Sequence, residues 1–299
     1  MSVEYVRRIN PSRGPGSPEV TGLYDPGTGS IQYIVACPET KQAAIIDSVQ
    51  DFDLRAARLS LENAEHLAKE VEAQGLTVAW VLDTHPHADH ATASAWLKER
   101  FGARNAIGEK TKDIAKLWQG FYNLPDLDPT AYYDQFWSDG DSFEIGNLKV
   151  EVMLSPGHTL GSISYRVGDA AFIHDTLMHT DSGSARCDFP GGSAEDLWDS
   201  IQSILALPDD TRLFVGHDYC TAGREPAWES TVADQRANNT HIGGGASREA
   251  FLDLRTSRDA TLKLPDRMLV ALQLNLRAGR PPEPESNGES YLKIPLNQF

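Results

Sequence analysis

Between positions 84 and 90 the chain reads Thr84-His85-Pro86-His87-Ala88-Asp89-His90, three imidazoles and a carboxylate placed directly after the apolar, strand-like residues 78–82. Such a mixture of donors suits zinc or iron, whereas magnesium and calcium take oxygen-rich sets. Further donors follow apolar runs in the same manner. Residues 150–154 lead into Ser155-Pro156-Gly157-His158-Thr159, residues 170–173 into His174-Asp175, and residues 213–215 into Gly216-His217-Asp218-Tyr219. One histidine after a strand is ordinarily a loop residue, a helix cap or a hydrogen-bonded core group. Four strand ends with ligand chemistry point instead to a metal centre, because strands hold their end loops in place on α/β scaffolds.

The elements that must carry these residues are read from periodicity and punctuation. Residues 31–35 and 43–46 read as paired strands with a turn over 37–41, and 61–75 as an amphipathic helix ending in Gly75. Residues 91–100 have the composition of a helix that closes a β-loop-α unit around the histidine cluster. Residues 110–139 form a long connection crowded with Trp118, Phe121, Tyr122, Tyr132, Tyr133, Phe136 and Trp137, for which packing is favoured over a lid or a dimer surface. Ser193 is placed to cap a helix whose Leu197, Ile201 and Leu205 share one face. After the break at Gly243-Gly244-Gly245, helices are predicted over 247–262 and 266–277, then an acidic loop over 281–289 and a tail, 291–296, that packs back on the body. The expected division is an N-terminal extension (1–20), a catalytic domain (21–241) and a C-terminal helical appendage with its tail (242–299).

Composition narrows the function classes. The 299 residues are 40% hydrophobic, as in a folded globular protein. A formal charge of −16 disfavours nucleic acid and anionic membrane surfaces, whose binding rests on lysine and arginine. An anionic substrate would then need local cations near the metal loops. Cys37, Cys187 and Cys220 are too few and too scattered for a disulfide framework, so a reducing cytoplasm is the expected setting. Arg7-Arg8 has no apolar stretch behind it, and no apolar run reaches membrane-spanning length. A homo-oligomer, with a dimer favoured, is the expected assembly.

Taken together, His85, His87, Asp89, His90, His158, Asp175 and His217 resemble the ligand set of the metallo-β-lactamase superfamily. The resemblance spans most of the chain. It implies an α/β (α+β) fold, a four-layered αββα sandwich with the metal between its two sheets, followed here by the C-terminal helical appendage. Within the superfamily, Arg186, Asp188 and Phe189 in the run Gly183-Ser184-Ala185-Arg186-Cys187-Asp188-Phe189-Pro190-Gly191-Gly192 are similar to the persulfide dioxygenase branch. His217-Asp218-Tyr219 and Asn275-Leu276-Arg277-Ala278-Gly279 are similar to it as well. Glyoxalase II, the neighbouring branch, typically carries an arginine or lysine, an aromatic, glutamate and glycine in that run.

The dioxygenase resemblance implies one Fe(II) per chain held by His85, His158 and Asp175, with His87, Asp89, His90 and His217 supporting those ligands. A triad of two histidines and a carboxylate leaves one face of the metal open for substrate and dioxygen together. The implied reaction takes glutathione persulfide, dioxygen and water to glutathione and sulfite. Tyr219 is a candidate hydrogen-bond partner of the metal-bound group, and Arg186 and Arg236 are candidates for the tripeptide's carboxylates. The competing reading of Arg186 is a structural ion pair with Asp188. A thioester hydrolase of glyoxalase II type would use all seven donors to hold two zinc ions and activate water. A non-catalytic persulfide sensor is disfavoured by the complete ligand set. The chain also departs from the branch. His174 replaces the usual glycine before the metal aspartate, with altered access expected, and Ser184 and Ala278 stand where animal enzymes carry cysteines. Cys187 is expected to be a buried small hydrophobe rather than a reactive thiol.

Overall fold

The computed structural model describes residues 5–298. In chain order its first part runs β1 (Val6–Asn10), β2 (Glu19–Tyr24), β3 (Ile31–Ala36), β4 (Gln42–Ile46), β5 (Val49–Asp53), β6 (Arg58–Ser60), α1 (Glu62–Ala73), β7 (Thr77–Leu82), β8 (Ala91–Thr92), α2 (Ser94–Phe101), β9 (Arg104–Gly108), α3 (Thr111–Tyr122) and β10 (Gln135–Trp137). Then come β11 (Ser142–Ile145), β12 (Leu148–Leu154), β13 (Ile163–Val167), β14 (Ala170–His174), α4 (Ala194–Leu205), β15 (Arg212–Val215), β16 (Glu229–Thr231), α5 (Val232–Asn238), α6 (Arg248–Asp259) and α7 (Met268–Asn275).

Two sheets dominate, one of seven strands in the order β1-β2-β3-β4-β7-β9-β10 and one of six in the order β11 to β16. Alternation of side chains along each strand explains how they stack. Tyr33, Val35, Ala44, Ile46 and Leu82 face the second sheet and share a core with Val150, Val152, Tyr165, Phe172 and Phe214. The intervening Ile34, Ile45 and Val81 point the other way, onto Leu67 and Val71 of α1 and Leu97 of α2. Because both faces of β3 are covered, every one of its residues is buried. On the far side, α4 lays Leu197, Ile201 and Ile204 against the second sheet, capped by the Ser193 hydroxyl on the Asp196 N–H. The result is the αββα sandwich that the resemblance implied.

Three regions differ in detail from the sequence reading. Residues 6–20, expected as an extension, are built into the body. β1 pairs antiparallel with β2 at the sheet edge, and the buried Arg212 donates to the Pro18 carbonyl and Ser17 hydroxyl while gripping Asp169 with two hydrogen bonds of 3.0 Å. The connection over 110–139 holds a 12-residue helix, α3, and the edge strand β10. Ile114, Trp118 and Tyr122 recur at four-residue spacing and pack against Met268 and Leu272 of α7, a helical pattern hidden by the surrounding aromatics. α2 begins at Ser94 rather than at 91, because Ala91 and Thr92 pair with β5. The tail touches α7 through reciprocal hydrogen bonds between Lys293 and Gln273, leaving Tyr291, Ile294 and Leu296 exposed. No helix among the described residues is long and apolar enough to cross a membrane.

Candidate metal centre

Four strand ends deliver the donors to one place between the sheets. His85, His87, Asp89 and His90 follow β7, His158 follows β12, Asp175 follows β14 and His217 follows β15. All are buried except Asp89, which is partly exposed. Close approach of β15 to the carboxylate requires Gly216, since a Cβ there would lie 2.8 Å from Asp175 Oδ1.

The Nε2 atoms of His85 and His158 lie 3.7 and 3.6 Å from the same oxygen, Asp175 Oδ2. Donors that share an ion at about 2.1 Å stand roughly 3–3.5 Å apart, so these three need only a small contraction to close on one metal. Hydrogen bonds behind the rings fix their tautomers. His158 Nδ1 donates to the Arg186 carbonyl at 2.8 Å, leaving Nε2 as the free donor atom. His85 Nδ1 donates to Thr84 Oγ1 at 3.0 Å, and that hydroxyl in turn donates to Asp47 at 2.8 Å.

The remaining donors form an adjoining group. His87, Asp89, His90 and His217 offer atoms within 4.8 Å of one another, as do His85, His87 and Asp175. Both His87 ring nitrogens and His90 Nε2 are buried without a hydrogen-bond partner, although His87 Nε2 stands 3.1 Å from Asp47 Oδ1. Buried polar atoms are otherwise almost always paired, so unpaired nitrogens on rings whose donor atoms lie this close together fit a metal site. His217 is held differently, with Nδ1 2.6 Å from Asp175 Oδ1 and Nε2 2.6 Å from Asp89 Oδ2. Burial opposes a charge on this ring, but the two carboxylates hold it protonated well above the usual histidine range. His85 is kept neutral by burial, then by the neighbouring imidazoles, and burial likewise lowers His158 against the pull of Asp175. Burial would raise Asp175, yet His217 outweighs it and keeps the carboxyl ionised.

A cavity of about 580 Å³ opens onto His158, Asp175, Asp89 and His217, with Tyr219, Arg186 and Phe189 on its walls. Tyr219 is 62% exposed, its ring parallel to that of His217 at 6.0 Å. Arg186 is committed elsewhere. Its guanidinium makes two hydrogen bonds to Asp188, at 2.6 and 2.7 Å, a third to the Lys263 carbonyl, and lies over the Phe189 ring. Arg236 lies away from the cavity, contrary to expectation. It sits in the last turn of α5, bound to Asp209 and to the Leu205 carbonyl at the end of α4, where a cation satisfies an open helix terminus. His174 does not line the cavity either; its ring packs against that of His85 at 5.3 Å between centroids, and it adopts a left-handed φ of 40° with Nε2 on Thr176. Cys187 is buried, and burial together with Asp259 pushes its thiol up to about 12, in keeping with an inert side chain.

Several supporting contacts escaped the sequence reading, although Asn275 itself stands in the run that resembles the dioxygenase branch. Ser30 contacts His90 Nδ1 at 3.1 Å and His217 Nε2 at 3.0 Å. Asn275 donates to the carbonyls of His87 and His90 and accepts from the Thr92 N–H, clamping the histidine loop. Arg258 and Lys263, both exposed, reach the rim of the cavity. The arginine-rich stretch of α6 was the available signal for that rim; an asparagine or serine clamp has no periodic signature.

Comparison with known proteins places the chain. The metallo-beta-lactamase superfamily matches residues 24–217, and the chain belongs to that family. It is 53% identical over 94% of its length to a "Beta-lactamase hydrolase-like protein" of Xylella fastidiosa (strain Temecula1 / ATCC 700964), of which it spans only 65%. It is 42% identical to "Glyoxylase B2" of Dictyostelium discoideum, covering 89% of this chain and 92% of that one. It is 28% identical to the mitochondrial "Persulfide dioxygenase ETHE1" of Bos taurus, covering 91% and 94% respectively. Among solved structures, ETHE1 from Myxococcus xanthus is 30% identical and superposes with a TM-score of 0.70 over 87% of this chain and 98% of that one.

Proposed function

We propose that the chain is an Fe(II)-dependent dioxygenase of low-molecular-weight persulfides, converting glutathione persulfide, dioxygen and water to glutathione, sulfite and two protons. The observation that carries this reading is the place of the run from Arg186 to Phe189, the stretch whose sequence departs from the hydrolase pattern. Its Arg186 carbonyl fixes the tautomer of His158, and its Phe189 ring meets the His158 ring edge-on at 5.5 Å. The likeness to ETHE1 over nearly that protein's whole length supports the same reading. The iron would be held by His85, His158 and Asp175, and when bound it would supply adjacent sites for the persulfide sulfur and dioxygen. Around it the chain's own groups do the positioning. Thr84 and Asp47 orient His85, Ser30 supports His90 and His217, and Tyr219 offers a hydroxyl at the cavity wall. Arg258 and Lys263 give the rim the positive charge that the tripeptide's carboxylates need against a net charge of −16. Three free cysteines, Cys37, Cys187 and Cys220, accord with a reducing cytoplasm, and a homodimer is part of the proposal.

A second reading is a dinuclear zinc thioester hydrolase. The adjoining donor group of His87, Asp89, His90 and His217 favours it, as does the likeness to Glyoxylase B2. Two zinc ions would lower the pKa of bound water to about 7, which suits hydrolysis. Anaerobic purification followed by metal quantification separates the two: one iron per chain supports the dioxygenase, and two zincs per chain with cleavage of S-lactoylglutathione would overturn it.

A further inference from the structure

His241 lines the same cavity as His158, Asp175 and His217 but has no part in the reaction proposed for it. Its Nδ1 accepts the Ser184 N–H at 2.9 Å, which leaves the ring proton on Nε2. Nε2 has no protein partner among the described residues. The ring is seated directly on Gly183, which is at φ +85° and whose added Cβ would lie 2.3 Å from ring atoms. Asn239 locks the backbone on both sides, accepting from the N–H groups of His241 and Ile242 and donating to the Gly183 carbonyl. Burial and the nearby Arg255 and Arg258 lower the ring to about 4, so it is neutral near neutral pH. The cavity wall therefore carries a rigid, uncharged N–H donor beside the cationic rim of Arg258 and Lys263.

We infer that His241 is a substrate-binding residue whose Nε2–H donates to an amide carbonyl of a peptide thiol, while the rim cations take its carboxylates. A neutral donor fits a neutral acceptor, and a site built around it discriminates against thiols that lack the peptide group, because the donor is then left unpaired. This inference rests on the reading of the cavity as a tripeptide-thiol site. Asparagine at this position keeps an acceptor for the Ser184 N–H but cannot reach the cavity, whereas glutamine reaches it and loses the Ser184 contact.

Glutathione binding by the metal-loaded protein, measured by calorimetry beside melting temperature and metal content, tests the inference. His241→Asn should weaken glutathione about three- to tenfold with melting temperature and metal content unchanged, as expected for loss of one neutral hydrogen bond. His241→Gln should bind nearly as the parent and melt lower. Unchanged affinity in His241→Asn, or a loss of affinity that tracks loss of metal or of melting temperature in both variants, would overturn it. Absence of glutathione binding by the parent protein itself would instead overturn the underlying tripeptide reading, and the inference with it.

Discussion

At the scale of single residues, the metal assignment makes unequal demands on seven donors. If one ion sits on His85, His158 and Asp175, replacing any of these by alanine should abolish metal binding and activity. His217→Ala should retain most of the metal, since that ring already satisfies two carboxylates without an ion. Equal loss in all four variants, read by metal analysis, would reject the mononuclear assignment. Arg186 makes a separate prediction. With its fork on Asp188 and a third bond to Lys263, it acts as a brace for the segment that holds His158. Arg186→Ala and Asp188→Ala should each lower the melting temperature by roughly 2–4 °C, with less than additive loss in the double variant, whereas additive losses would dissolve the pair. The donors were legible in the sequence because imidazoles crowd into Thr84 to His90 and recur after apolar runs. Whether Arg186 binds substrate or Asp188 was not, since both readings ask for the same arginine and only the direction of its fork distinguishes them.

At the scale of elements, the loops that carry the donors are held by side chains from distant segments. Asn275, at the end of α7, makes three buried hydrogen bonds to the histidine loop. Removing it strands two carbonyls and one N–H, so Asn275→Ala should cost about 2–4 kcal/mol and weaken metal retention. A denaturant curve that matches the parent's would deny the clamp. Arg212 of β15, only 1% exposed, ties in the N-terminal segment through Ser17 and Pro18 and is compensated by Asp169 of the β13–β14 turn. Asp169→Ala should cost about 3 kcal/mol, because it leaves a buried guanidinium uncompensated. Burial would raise the Asp169 carboxyl, but Arg212 outweighs it and lowers it below 3.8. The pair's stabilisation is therefore complete above that ordinary value and lost as pH falls through the depressed folded one. Parent stability should drop more steeply than that of Asp169→Asn below about pH 4, a difference readable by thermal melts. Strand and helix identity followed from short apolar runs and four-residue spacing, most plainly in β3, β4 and the Ser193-capped α4. α3 was obscured because its Trp118 and Tyr122 lie among aromatics outside the helix, and β1 because five mostly polar residues at a sheet edge gain their pairing only from β2.

At the scale of the whole molecule, the proposed function asks a chain of net charge −16 to admit an anionic tripeptide past a rim that carries Arg258 and Lys263. Salt screens attraction at the rim and repulsion by the body alike, over a Debye length of about 8 Å at physiological ionic strength. With Arg258 and Lys263 present, KM for the persulfide should rise with salt. In the Arg258→Ala/Lys263→Ala double variant only repulsion remains, so KM should start higher and fall with salt. A dependence of the same sign in both proteins would remove these residues from substrate recruitment. Beyond charge, the sandwich sets the chemistry by where it is open: the strand ends of both sheets converge on one cavity, and Arg186 and Phe189 contribute to its wall. The central claim is that iron here oxidises a persulfide sulfur with dioxygen. Its most direct test is oxygen uptake by anaerobically purified, iron-loaded protein given glutathione persulfide, with sulfite measured in the same vessel. The expected result is one sulfite formed per dioxygen consumed. An iron-loaded protein that takes up no oxygen with this substrate would contradict the account.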